Sequence, residues 1–280
     1  MRSPLAPSLA GRCVRHALLM TLALLYLLPF VWMVSISLKP ASEIFDAGLR
    51  LLPHDWAAWE NYRAALTRVP LLHYLFNGVV VCLGILAAQI VLAFPAAYCF
   101  AKLRFRGSRL AWGLVMLSLM VPFQATAIPL YVFLYHLGLL DSRAALIIPF
   151  VASAFGIFMF RQAIKGVPDD LIHAARLDGM GEFELVWRVV LPACMPSVVA
   201  FSIFSVVWHW NDYFWPLLVI STQDLATPPL GAMFFANEDA GSDYGPLMAG
   251  TVMITIPLVV FFLFAQKRFI EGVTFAGVKA

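Results

Sequence analysis

Six stretches of the chain are apolar for long enough to matter, at residues 17–38, 71–101, 110–140, 144–160, 189–223 and 244–266. Five of them hold no Asp, Glu, Lys or Arg, and the other, 189–223, is interrupted only by Asp212. A helix needs about 20 residues to cross about 30 Å of hydrocarbon. The pattern therefore predicts an all-α, polytopic membrane protein of six transmembrane helices, the fourth of them short. The first run is too long for a signal-peptide core and no small-residue cleavage site follows it, so it is expected to stay as an anchor.

Composition agrees. The chain of 280 residues is 62% apolar and 12% charged, with a formal net charge of +3. A soluble domain carries about 25% charged residues, so lipid must be much of the solvent here. The four cysteines, Cys13, Cys82, Cys99 and Cys194, are scattered without metal-ligand or redox spacing and read as small core residues.

The basic residues orient the chain. With the N-terminus inside, the inner connections hold Arg2, Arg12, Arg15, Lys102, Arg104, Arg106, Arg109, Arg161, Lys165, Arg176, Arg188, Lys267, Arg268 and Lys279. That is fourteen of the nineteen lysines and arginines. The connection from 221 to 243 has none, and carries Asp224, Glu238, Asp239 and Asp243. Positive charge marks the cytoplasmic side, which puts both termini there. The expected organisation is a tail at 1–16, a six-helix transmembrane domain at 17–266 with an inner loop at about 161–196, and a second tail at 267–280.

That inner loop is too polar to cross. Pro168 suits the first helical position, where a missing N–H costs nothing. Asp169 and Asp170 fall in the first turn, where the helix dipole favours negative charge. Gly179 is placed to end the helix in a left-handed cap. Leu171, Ala174, Ala175 and Asp178 then share one face, small and shallow enough for another protein's backbone to come close. A second short helix from about Glu182 leads to Leu191-Pro192, where the chain re-enters the membrane. An amphipathic helix resting on headgroups is the alternative. Its apolar face is weak, and Asp169, Asp170 and Asp178 are repelled by anionic lipid, so docking fits better.

Here the chain resembles the permease subunits of carbohydrate-type ABC importers, of the maltose and glycerol-3-phosphate kind, the binding-protein-dependent transport inner-membrane components. Their loop reads roughly E-A-A-x-x-D-G-A, then about nine residues, then L-P-x-x-x-P. Ala174, Ala175, Asp178, Gly179, Leu191, Pro192 and Pro196 match it, while His173 and Met180 stand where an acidic and a small residue are usual. Ser37-Leu38-Lys39-Pro40, Glu43-Ile44-Phe45 and Glu60-Asn61-Tyr62 resemble the family's first outer loop. Ala97-Tyr98 with Phe105-Arg106-Gly107, Trp210-Asn211-Asp212-Tyr213, and the tail Gly272-Val273-Thr274 with Gly277-Val278-Lys279 match further along.

The resemblance implies half of a translocation pathway in the bacterial cytoplasmic (inner) membrane. It implies a second permease, two copies of a cytoplasmic ATP-binding subunit and an extracytoplasmic solute-binding protein as partners. His173, Ala174, Ala175, Asp178, Gly179, Leu191 and Pro192 would couple to the ATPase. ATP and Mg would sit on those partner subunits, with no cofactor on this chain, which is not expected to be an enzyme. Consistently, the phosphate-loop pattern GxxxxGK[ST] is absent.

Asp at a helix centre costs roughly 2.5–3.5 kcal/mol on the insertion scale, so Asp212 needs a reason. Trp208, Asn211, Asp212 and Trp215 share one face at helical spacing, and an aromatic floor with amide and carboxylate groups suits a sugar. An interfacial aromatic belt is the other reading. Pro122, Phe123, Gln124 and Pro129 break the third span, either to line a cavity or as a packing kink. Asn77 and Gln89 are pathway residues or interhelical hydrogen-bond partners. A secondary active transporter of a small polar solute is the alternative function, but only one carboxylate is clearly intramembrane and no internal repeat stands out. No His or Cys spacing supplies an intramembrane enzyme.

Overall fold

The structure is a computed structural model, and it describes residues 9–45, 50–238 and 243–277. Among the described residues it is all-helical, with no strand. Arg2, Asp239, Val278 and Lys279, used above for orientation and family likeness, lie outside them. Three helices are long and apolar enough to cross a membrane, and the number rises to six if each bent helix pair is one span. The chain divides into two compact units, residues 1–69 with 235–253, and residues 70–234 with 254–280.

In the first unit, α1 (Leu9–Ser37) is followed by the short α2 (Ala41–Ile44) and by α3 (Ala58–Thr67). Residues 11–31 of α1 are exposed without interruption. The last carbonyls of a helix have no partner of their own, and Asn61 supplies one. Its amide donates to the carbonyls of Ser37 (3.0 Å) and Lys39 (2.8 Å). Lys39, 2% exposed, sends its ammonium to the Arg50 carbonyl and lies over the Trp32 ring. Glu43 accepts the backbone N–H groups of His54 and Asp55, which holds its carboxyl below the ordinary value. These contacts tie the Ser37–Pro40, Glu43 and Asn61 segments, which resemble one family signature, into one local structure.

The second unit is built on α4 (Leu71–Lys102), which continues through Pro95. Next come α5 (Ser108–Ser118) and α6 (Phe123–His136), then α7 (Arg143–Ile147) with a 3-10 turn at Ile148–Phe150, and α8 (Ala154–Lys165). Two short helices, α9 (Asp169–Leu177) and α10 (Glu182–Leu185), precede a π turn at Val186–Val190 and α11 (Leu191–Ala193). Then follow α12 (Met195–Trp210), α13 (Phe214–Val219), a 3-10 turn at Gln223–Leu225, α14 (Pro228–Glu238) and α15 (Tyr244–Gly277), of which residues 235–238 and 244–253 belong to the first unit. The 221–243 connection is thus largely helical. The backbone of α15 continues beyond Gln266, where the apolar run ends.

Helix α4 packs most extensively on α8 and then on α12, through Phe94, Phe160 and Phe201. The first two rings are 5.3 Å apart and the last two 4.8 Å. Where α14 meets α4, a β-carbon on Gly231 would collide with the Tyr74 ring, so the absent side chain sets that approach.

The apolar runs at 110–140, 144–160 and 189–223 are not single rods. They bend by 100° between α5 and α6, 45° between the Arg143–Phe150 segment and α8, and 83° between the Glu182–Ala193 segment and α12. Pro122 caps α6 rather than kinking a continuous helix, and the helix carries Pro129 inside it. A count of charged residues alone does not see such breaks, because none of the residues between the paired helices is charged.

Candidate coupling helix and candidate pathway residues

Helix α9 begins one residue later than its sequence suggests, with Pro168 as the N-cap and Asp169 and Asp170 in the first turn. Gly179 has φ +86°. The Gly179 N–H bonds the Arg176 carbonyl and the Met180 N–H bonds the Ala175 carbonyl, both at 3.1 Å, a left-handed glycine cap. A β-carbon on Gly179 would meet nothing within 4 Å.

The expected shared face needs correction. Ala175, 6% exposed, turns with Ile172 into the chain's own core beside Ala97, Tyr98 and Val167. Leu171, His173, Ala174, Leu177 and Asp178 face outward, Leu177 at 89% exposure. Helical spacing gave the right stripe width but not its direction. Ile172 is the large apolar residue that fixes what lies inside, and Ala175 follows it.

Polar contacts sequence reading did not reach fasten α9 to α4. Lys102, at the last turn of α4, donates to the Asp169 carboxylate (2.6 Å) and to the Val167 carbonyl (2.7 Å). The Lys102 ammonium holds the Asp169 carboxyl below its ordinary value. Arg176 donates to Glu182 (2.8 Å), Tyr98 donates to the other oxygen of Glu182 (2.6 Å), and Arg176 also donates to the Tyr98 hydroxyl (3.2 Å). Leu191 and Pro192 lie in α11, at the bend leading into α12.

The pathway candidates do not form the single face their spacing suggested. Helix α12 stops at Trp210, Asn211 is its C-cap and a new helix starts at Phe214. Trp208 is 67% exposed and Trp215 is fully buried, its indole N–H donating to the Ala145 carbonyl at 2.9 Å. Gln124 and Asn211 are exposed. Asp212 accepts the Trp215 backbone N–H (3.3 Å), so its carboxylate serves the free N–H groups at the start of α13.

The structure instead brings together residues beside the α5–α6 break, the break before α8 and the α12–α13 break. Phe123, just after the third-span break, lies 4.9 Å from Phe150 and 5.5 Å from Trp215, ring to ring. Phe150, just before the fourth-span break, lies 4.8 Å from His209. Gln89 of α4 donates to the Phe150 carbonyl (2.9 Å) and accepts from Ser205 (2.6 Å). Asn77 donates to the carbonyls of Asp224 (2.7 Å) and Ala226 (3.1 Å) and accepts from Arg143 (2.9 Å). Both amides are therefore interhelical partners, as one reading of them held.

Comparison with known proteins points one way. Residues 81–274 match the family described as binding-protein-dependent transport system inner membrane component. The arabinooligosaccharides transport system permease protein AraQ of Bacillus subtilis (strain 168) is 34% identical over 264 residues, 93% of each chain. The lactose transport system permease protein LacG of Rhizobium radiobacter is 30% identical, over 92% of this chain and 93% of that one. The sn-glycerol-3-phosphate transport system permease protein UgpE of Yersinia pestis bv. Antiqua (strain Antiqua) is 31% identical, over 92% and 94%. In fold, the chain resembles a crystal structure of a bacterial ABC transporter involved in the import of the acidic polysaccharide alginate. The TM-score is 0.83 at 23% identity, covering 94% of this chain and 99% of that one.

Proposed function

As the chain belongs to the family of binding-protein-dependent transport system inner membrane components, we propose that it forms half of the translocation pathway of an ABC importer for a sugar or related polar solute. It pairs with a second permease, receives solute from an extracytoplasmic binding protein, and is driven by two cytoplasmic ATP-binding subunits that hold the ATP and Mg. Six spans then cross the bacterial inner membrane with both termini inside, leaving 1–16 and 267–280 as cytoplasmic tails and 161–196 as the coupling loop.

One observation carries the coupling part. Helix α9 ends in a left-handed glycine cap, is fastened to α4 on one side, and presents Leu171, Ala174, Leu177 and Asp178 outward on the other. In this reading His173, Ala174, Asp178 and Gly179 meet the ATPase, and Ala175 supports them from beneath. Leu191 and Pro192 hand the movement on to the fifth span. Gln124, Trp208 and Asn211 border the path, and Asp212 and Trp215 hold the break that shapes it.

The test is affinity purification of the chain from native membranes in mild detergent, followed by uptake in proteoliposomes. Arabinose oligosaccharides, lactose and glycerol 3-phosphate are the first solutes to try. Recovery of an ATPase and a second permease, with uptake that needs ATP and a binding protein, is expected. A chain that remains alone after gentle crosslinking, and carries solute without ATP, would establish a secondary transporter instead.

A further inference from the structure

If α9 receives the ATPase's motion, that motion still has to leave it. The covalent route to the fifth span is jointed. It passes Gly179 at φ +86°, Gly181, the π turn at Val186–Val190 and the 83° bend before α12. A β-carbon at Gly179 or Gly181 would meet nothing within 4 Å, so neither glycine is wedged in place, and between them Met180 packs against the core. A push on α9 along the chain alone would be taken up by its joints.

Side chains bridge the joints. Arg176 on α9 and Glu182 on α10 stand on opposite sides of the Gly179 turn, and each bonds both the other and the Tyr98 hydroxyl. The result is a closed ring of three groups from three helices. Tyr98 is 1% exposed, so its phenol is fixed by the core while its hydroxyl is held by the ring. Four residues on, and so on the same face of α4, Lys102 holds the opposite end of α9 through Asp169 and the Val167 carbonyl. Helix α9 is thus tied near both ends to one face of α4. A single tie would let it pivot; two convert its displacement into displacement of α4.

We propose that Tyr98 and Lys102 are positioning residues forming a two-point latch through which movement of α9 reaches the inner end of α4, the ring of Tyr98, Arg176 and Glu182 locking the glycine turn. This rests on the coupling role proposed for α9, and deepens it by naming the second span as a recipient of the stroke. Coupling between sites in this sense is a free energy, and removing one charge-assisted hydrogen bond should lower the coupling factor it sets by roughly tenfold.

The experiment uses the full importer complex purified from native membranes. Hydrogen–deuterium exchange is followed at residues 169–185 and 95–103, with and without ATP plus vanadate. In the unsubstituted complex nucleotide should change exchange in both segments. In Tyr98→Phe, which keeps the packed ring and removes one hydroxyl, the ATPase should be retained and 169–185 should still respond. The response at 95–103 should drop by roughly tenfold. Lys102→Met and Glu182→Gln should act in the same direction, so the conclusion does not hang on one variant's folding. An unchanged response at 95–103 in all three overturns the latch and leaves the coupling role of α9 standing. A lack of nucleotide response at 169–185 in the unsubstituted complex overturns both.

Discussion

Replacing Gly179 separates what the fold needs from what a partner needs. At φ +86° an L-residue is disfavoured by about 1–2 kcal/mol, and Asp and Asn tolerate that region better than most. The new β-carbon meets no atom of the chain within 4 Å, so no steric cost is added. Asp also puts a negative charge at the helix C-terminus, worth a few tenths of a kcal/mol against it. The permease itself should therefore lose about 2–4 °C of melting temperature for each kcal/mol, easily read by fluorescence-detected size exclusion in detergent. Retention of the ATPase and ATP-driven uptake should fall far more in Gly179→Asp, because the partner's surface must close over a side chain and a charge where there was neither. Gly179→Ala, with the β-carbon alone, should fall between. Wild-type uptake and ATPase retention in Gly179→Asp would refute the assignment of this turn to coupling. A collapse of melting temperature in Gly179→Ala would refute the claim that the space over it is free.

Two further outcomes test the second unit at Asn77 and Asp141. Asn77 is fully buried and serves two carbonyls and a guanidinium; Asn77→Leu leaves all three unmet, so it should destabilise by about 2–4 kcal/mol, and adding Arg143→Leu should restore part of the melting temperature. Asp141 accepts from the Thr222 hydroxyl and from the N–H groups of Thr222 and Ser221, which lower its pKa. Its contribution is therefore complete above the ordinary aspartate value of about 4 and falls away as pH drops through the folded value below that; melting curves taken down this window should be steeper in pH for the parent than for Asp141→Asn.

The features legible from the sequence were those that depend on neighbours along the chain. Apolar runs gave three helices long enough to cross a membrane, and six if each bent pair is one span, and Asp169, Asp170 and Gly179 gave α9 with its ends correct to a residue. What depends on a distant partner was not legible. Ala175 turns inward because the core beneath α9 accepts Ile172, and nothing in the local spacing says which side that core is on. Trp208, Asn211, Asp212 and Trp215 share a face only if the helix continues, and it stops at Trp210. Tyr98 and Glu182 stand 84 residues apart, and neither is unusual where it sits. The family likeness of Ser37–Pro40 and Asn61 was visible as a signature, but its cause, an amide closing the end of α1, needed coordinates.

Residues 11–31 of α1 touch so little of their own chain that this stretch carries almost no information about the rest of the fold. From Ala17 to Val31 its positions are exposed on the chain itself. Exchange of one bulky aliphatic for another there changes no cavity and no hydrogen bond within the chain. Sequence drift along this stretch should accordingly run fast among apolar residues and halt abruptly at Ser35, where burial begins. A library randomised over Leu18–Leu28 should give folded protein from almost any aliphatic draw, whereas the same library over Phe94–Tyr98 should give very few. The chain thus holds two alphabets, a coarse one for the positions it leaves exposed and a fine one for those its own side chains enclose.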